Sequence, residues 1–183
     1  MTTLEKTLIN LSTLLVGLSG ILYGWMKYLM TTDDPYAVAN HPLQPWALDL
    51  HVLASPVLVL ALGMIVQDHV VTQLQKGPGR PGRSTGLMAA VCVLPMIATG
   101  YLIQVFVDET ARRVCVGVHL VTGMIYLAAF LAHLVMSRRA AARRKTEAAQ
   151  AAAAGMTTAA WRAVQARERV LLRSDAGAPR VSM

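Results

Sequence analysis

The chain has 183 residues, of which 55% are hydrophobic, 15% charged and 5% aromatic, and it carries a formal net charge of +7. A soluble domain of this size would lack the polar surface to cover itself, so the composition excludes an ordinary water-soluble fold and places the chain in a bilayer. The positive excess reads as a bias between two membrane faces rather than as a nucleic-acid footprint, so no nucleic-acid partner is expected.

An apolar run of about 20 residues crosses a hydrocarbon core roughly 30 Å thick. Four such runs follow in order, at Leu8 to Met30, Trp46 to Val71, Thr85 to Val107 and Val114 to Met136. Each is expected to be a helix, because a lone span cannot leave backbone amides unpaired in lipid and no alternating strand pattern is present. The first keeps Lys6 ahead of it and lacks the short core and small-residue cleavage site of a removable signal, so it reads as a retained span. Its connection to the second, Thr31 to Pro45, holds Asp33, Asp34, Pro35, Pro42 and Pro45, and Gly77 to Gly82 is a Gly-Pro turn. The expected architecture is all-α, a transmembrane four-helix up-down bundle over residues 1–137 followed by a basic, Ala-rich tail over 138–183. No internal repeat is evident.

Lys6, Lys76, Arg80, Arg83 and the cluster Arg138, Arg139, Arg143, Arg144, Lys145 fall on one side, and only Lys27, Arg112 and Arg113 on the other. Positive charge stays on the cytoplasmic side, so both termini are expected there. The opposite face carries Asp33, Asp34, Asp49, Asp108 and Glu109. In a bacterium that face is periplasmic and the membrane is the inner one.

Ionisable side chains inside a span are costly and usually functional. His119 and His133 stand fourteen positions apart in the fourth run, a rise of about 21 Å and nearly four full turns, so both rings leave the same side of the helix at different depths. His51 and His69 in the second run are eighteen apart, five turns and about 27 Å. Spans two and four run in the same direction, so His51 shares a level with His119, and His69 with His133. Iron in haem takes two axial ligands on opposite faces of a flat ring, and a bis-histidine site needs one His from each of two facing helices. Neutral imidazole also tolerates burial better than a carboxylate or an ammonium group. The four histidines are therefore candidate metal ligands for two haems, one above the other. Filled axial positions leave no site for oxygen or substrate, and the expected chemistry is outer-sphere electron transfer.

Gly17, Gly20, Gly24, Gly63, Gly100, Gly117 and Gly123 let a flat ring or a neighbouring helix come close, with Gly123, one turn beyond His119, as the candidate for haem contact. Arg112 and Arg113 are placed for the propionates of a periplasmic haem, and Lys76, Arg80 or Arg83 for those of a cytoplasmic one, although topology signalling alone also accounts for all five. His41, before Pro42 in the first connection, reads as exposed. Cys92 and Cys115 stand alone, without the C-x-x-C-H signature of covalently attached haem.

The spacing of His119 and His133 resembles the paired-ligand helix of di-haem b-type cytochromes, both those of respiratory bc complexes and the small four-helix membrane subunits of formate dehydrogenases, hydrogenases and thiosulfate reductases. Ligands on spans two and four are closer to the bc arrangement, since span one holds no His. The segment Trp46-Ala47-Leu48-Asp49-Leu50-His51, with Pro56 after it, is also similar to small bacterial membrane proteins taken to bind haem. The resemblance covers the four spans and not the tail. It implies two non-covalent b-type haems, a periplasmic cytochrome or dehydrogenase subunit as partner, and a quinone near one interface. One departure stands out: the same gap from His51 falls on Ile65, one turn before His69. Tilt, an inclined haem or a kink at Pro56 can absorb it, or His69 is an interfacial histidine beside Asp68.

In the tail, Ala140 to Ala154 continues the fourth helix, Gly155 interrupts it, and Thr157 or Thr158 caps a second helix through Arg173 with Trp161, Val164 and Leu171 on one face. That face suits the anionic inner leaflet or a partner subunit, and the last ten residues are expected to be disordered. Three functions compete. An electron-transferring di-haem membrane cytochrome within a larger redox complex ranks first. A membrane anchor or assembly subunit binding one haem or none comes second, and a proton-relaying transporter, for which acidic residues at mid-depth are missing, comes third.

Overall fold

The structure, a computed structural model, describes residues 2–34, 36–75 and 82–176. Of the last ten residues, expected to be disordered, 174–176 instead continue the last helix, while 177–183, the expected turn from Gly77 to Pro81 and the charges of Lys76 and Arg80 lie outside the described residues, as do the side chains of Asp68, Leu171 and Arg173.

The elements are helices α1 (Thr3–Tyr28), α2 (Gln44–Ile65), a π-helical turn (Val66–Val71), the short α3 (Thr72–Gln75), α4 (Arg83–Val105), α5 (Glu109–Ala153) and α6 (Thr158–Ala176). No strand occurs among the described residues. Helices α1, α2, α4 and α5 are each long and apolar enough to span a membrane, so the chain is a multi-pass membrane protein with an up-down bundle of four helices.

Local chemistry marks where each spanning helix starts. Thr2 and Glu5 form a reciprocal capping box at α1, in which the Glu5 amide donates to Thr2 Oγ1 (3.2 Å) and the Thr2 amide to Glu5 Oε2 (2.9 Å). Pro45 opens α2 in the first turn, where a missing N–H costs nothing. Gly82 precedes α4 with φ +81°, a left-handed conformation that favours glycine. Asp108 accepts the Ala111 amide at 2.8 Å at the start of α5. The last carbonyls of α1 are taken by Asn40 of the first connection, whose Nδ2 donates to Met26 O (3.2 Å) and Lys27 O (3.1 Å). Asn40→Ala should cost about 1 kcal/mol, seen as a lowered melting midpoint of the detergent-purified protein.

Residues 1–134 form one compact unit and 135–183 another. In the first, the core joins Ile9 and Val16 of α1, Ala54, Leu58, Ala61 and Ile65 of α2, Ala89, Cys92 and Met96 of α4, and Tyr126 and Ala129 of α5. Many of these are small, so the backbones come close, as in membrane bundles held by packing rather than by water exclusion. Outward-facing side chains such as Leu53 and Leu94, about three-quarters exposed, belong against lipid acyl chains. Polar core residues are all partnered. Ser12 donates to the Leu8 carbonyl (2.7 Å), and Thr13 shares a 3.0 Å hydrogen bond with the Tyr126 hydroxyl. Cys92 and Cys115 are buried free thiols.

In the second unit, α5 ends on Gly155 with φ +65°, where the Met156 amide donates to Ala151 O (2.9 Å) and the Gly155 amide to Ala152 O (3.0 Å). Thr157 Oγ1 then accepts the Ala160 amide at 3.3 Å and caps α6. Arg162 of α6 pairs with Glu147 of α5 at 2.9 Å, both largely exposed. Arg162→Ala should change stability by less than about 1 kcal/mol, measurable as an unchanged melting midpoint.

Candidate functional site

The structure brings together His51 of α2 and His119 of α5, whose ring centroids lie 6.1 Å apart with planes at 89°. It also brings together His69 of the π-helical turn and His133 of α5, at 6.0 Å and 77°. A fourteen-residue step along α5 therefore carries one ring of each pair. On the other side, α2 runs through Pro56 to Ile65 as one helix, and the change of helical geometry comes in the turn Val66–Val71 that contains His69. A π turn places each amide against the carbonyl five residues back, so it is wider and advances less per residue than an α turn. His69, rather than residue 65, lies opposite His133. Ile65 points into the apolar core instead, 8% exposed.

Each described ring contact fixes a tautomer. His51 Nδ1 lies 2.9 Å from Val16 O of α1, His119 Nδ1 2.9 Å from Met96 O of α4, and His133 Nδ1 2.8 Å from Gly82 O just before α4. A carbonyl oxygen can only accept, so Nδ1 carries the proton in all three and Nε2 keeps its lone pair. Donation of the far ring N–H to a backbone carbonyl is the usual support of a metal-bound histidine. The nearest neighbours of a Cβ built at Gly20, Gly86 and Gly100 are atoms of the His51, His133 and His119 rings, between 2.8 and 3.2 Å away. These glycines thus pack on imidazoles.

The residues present fit a ring-bound iron. Two metal–imidazole bonds of about 2.0 Å each, with the two half-rings added, separate the ring centres by about 6 Å. That is the separation found in both pairs. Among the described residues no group of three or more His, Cys, Asp or Glu converges on one point. A bare cation held by two imidazoles would lack the four ligands such ions require, whereas haem supplies the equatorial nitrogens and asks the protein for two.

The other candidates fall as follows. A Cβ at Gly123 would meet Met96 Sδ at 3.9 Å, and one at Gly17 the Leu127 side chain at 2.9 Å, while Gly24, Gly63 and Gly117 have nothing within 4 Å. Arg112 and Arg113 are exposed on the first turns of α5, and Arg113 pairs with Glu109. His41 Nδ1 accepts the Leu43 amide at 3.1 Å within its own turn. Gly86, Ser19 and Thr99, which no sequence motif marks, also adjoin the rings, and Thr85 donates to the Gly82 carbonyl that His133 meets.

The chain matches no protein-family model, no curated protein and no solved structure.

Proposed function

We propose that this chain is an integral-membrane di-haem b-type cytochrome that passes electrons across a bacterial inner membrane. The reading rests on one observation: two cross-helix histidine pairs, each spaced for one iron and, in three of the four rings, with Nδ1 spent on a backbone carbonyl. When bound, such a group supplies reversible one-electron chemistry between ferric and ferrous iron. His51 and His119 would hold one and His69 and His133 the other. The two pairs lie about 21 Å apart along α5, which divides the span into two shorter steps. With both axial sites given to imidazole, the residues favour electron relay over substrate binding. The partners that suit this role are a periplasmic cytochrome or dehydrogenase subunit on one side and the quinone pool or the cytoplasmic side on the other, within a larger redox complex.

The test is a reduced-minus-oxidised spectrum of the purified chain with haem extraction. Two extractable b-type haems per chain support the reading. One would reduce it to a single centre, and none would leave an anchor or assembly subunit. The charge bias adds an orientation, with both termini cytoplasmic. A fluorescent protein fused to the C-terminus should therefore be bright, and alkaline phosphatase at the same point inactive; the reverse result would invert the topology.

A further inference from the structure

His51, His119 and His133 each meet a backbone carbonyl with a glycine four residues beyond it, and the pattern recurs at fixed spacing. His51 meets Val16 O, Ser19 and Gly20; His119 meets Met96 O, Thr99 and Gly100; His133 meets Gly82 O and Gly86, with Thr85 between them. In each case a carbonyl at one position is followed by a hydroxyl three residues on and a glycine four residues on. On α4 the two copies are fourteen residues apart, the same step that separates His119 from His133 on the antiparallel α5.

Helix geometry explains all three parts. Carbonyls point toward the C-terminus and Cα–Cβ bonds tilt toward the N-terminus, so the side chain at the fourth following residue stands over the carbonyl. Glycine there uncovers that oxygen to a donor from a neighbouring helix. A Cβ at Gly20 would lie 2.8 Å from His51 Cε1 and 2.9 Å from Nδ1, and one at Gly86 would lie 3.0 Å from His133 Nδ1. Both are too close to leave the ring where it is. The hydroxyl points its proton back along its own helix. Ser19 donates to Leu15 O (2.7 Å), Thr99 to Pro95 O (2.6 Å) and Thr85 to Gly82 O (2.9 Å). Ser19 Oγ and Thr99 Oγ1 then face the imidazole N–H with a lone pair, each 3.5 Å from Nδ1.

We infer that Val16/Ser19/Gly20, Gly82/Thr85/Gly86 and Met96/Thr99/Gly100 are three copies of one histidine seat, whose carbonyl and glycine fix the tautomer and angle of His51, His133 and His119; Ser19 and Thr99 are positioning residues that face the imidazole N–H, and Thr85 acts through the Gly82 carbonyl it shares with His133.

As regards haem, the inference rests on the proposed function, but its first test does not need haem. In 15N spectra of the haem-free full chain, His51, His119 and His133 should be Nδ1–H tautomers. Gly20→Ala should shift the His51 signals alone, and Gly24→Ala, one turn further along α1 with nothing within 4 Å, should shift none. The second test is a redox titration of the haem-loaded chain. Ser19→Ala and Thr99→Val should each move the midpoint of the same centre, and Thr85→Val the midpoint of the other. These variants add no bulk and so remain informative where a Gly→Ala chain does not fold. Nε2–H tautomers in the wild type, or both centres moving together in every variant, would overturn the seat while leaving haem binding intact. Intact tautomers in a chain that takes up no haem would keep the seat and overturn the cytochrome.

Discussion

Replacing His119 with alanine should lower the haem content from about two per chain to about one, and His51→Ala should remove the same centre. The two rings come from different helices, 6.1 Å between ring centres. Loss of either leaves an iron with one protein ligand and an Nε2 lone pair without its counterpart. The double variant should therefore be no worse than either single one, the non-additivity expected of groups that act as a unit. His69→Ala and His133→Ala should together define the second centre. Haem extraction and the amplitude of the reduced spectrum read both effects. A chain that keeps both haems without His119, or loses both at once while remaining folded, would contradict the pairing.

The second large effect is expected at Tyr126, seven residues after His119 and seven before His133. Two turns from each of these histidines, it stands on the same face of α5, midway between them. The side chain is 4% exposed, stacks on Phe130 at 6.0 Å and shares its hydroxyl with the buried Thr13 of α1. Tyr126→Ala would open a cavity between the two pairs and should cost about 3–5 kcal/mol. Tyr126→Phe loses only the interhelical hydrogen bond, worth about 0.6 kcal/mol in membrane helices. Unfolding in detergent should separate the two variants clearly. Equal stability of Tyr126→Ala and Tyr126→Phe would mean that the centre of the bundle does not depend on this ring.

Much of the fold was legible because the bilayer imposes a length. Runs such as Trp46 to Val71 and Val114 to Met136 must be helices if they cross; α2 with the π-helical turn after it covers the first and α5 the second. The pairing of His51 with His119 was legible for a similar reason, since helix periodicity and alternating direction leave few partners at each depth. What the sequence hid is instructive. Nothing in Val66 to Val71 marks a π turn, because the segment holds no proline or glycine that would signal a break. A kink at Pro56 was one of three expected ways to absorb the mismatch, beside tilt and an inclined haem, and α2 instead runs through Pro56 as one helix.

The glycines were ambiguous one at a time. Gly123 was expected near a cofactor and has Met96 as its neighbour, whereas Gly20 and Gly100, grouped with it, lie against imidazoles. A usable signal was present in α4. Thr85-Gly86 and Thr99-Gly100 repeat with the spacing of His119 and His133, and two equal steps on adjacent antiparallel helices are a contact pattern. The Ser19-Gly20 step on α1 shows the same pair of residue types beside His51.

The most direct measurement for the two-centre account is low-temperature electron paramagnetic resonance of the oxidised, haem-loaded chain, with spins counted against protein. Imidazole planes crossed at 89° and 77° should give two low-spin ferric signals per chain, both strongly anisotropic, as crossed axial planes leave the iron d orbitals nearly degenerate. A high-spin signal, or a single low-spin centre per chain, would contradict it.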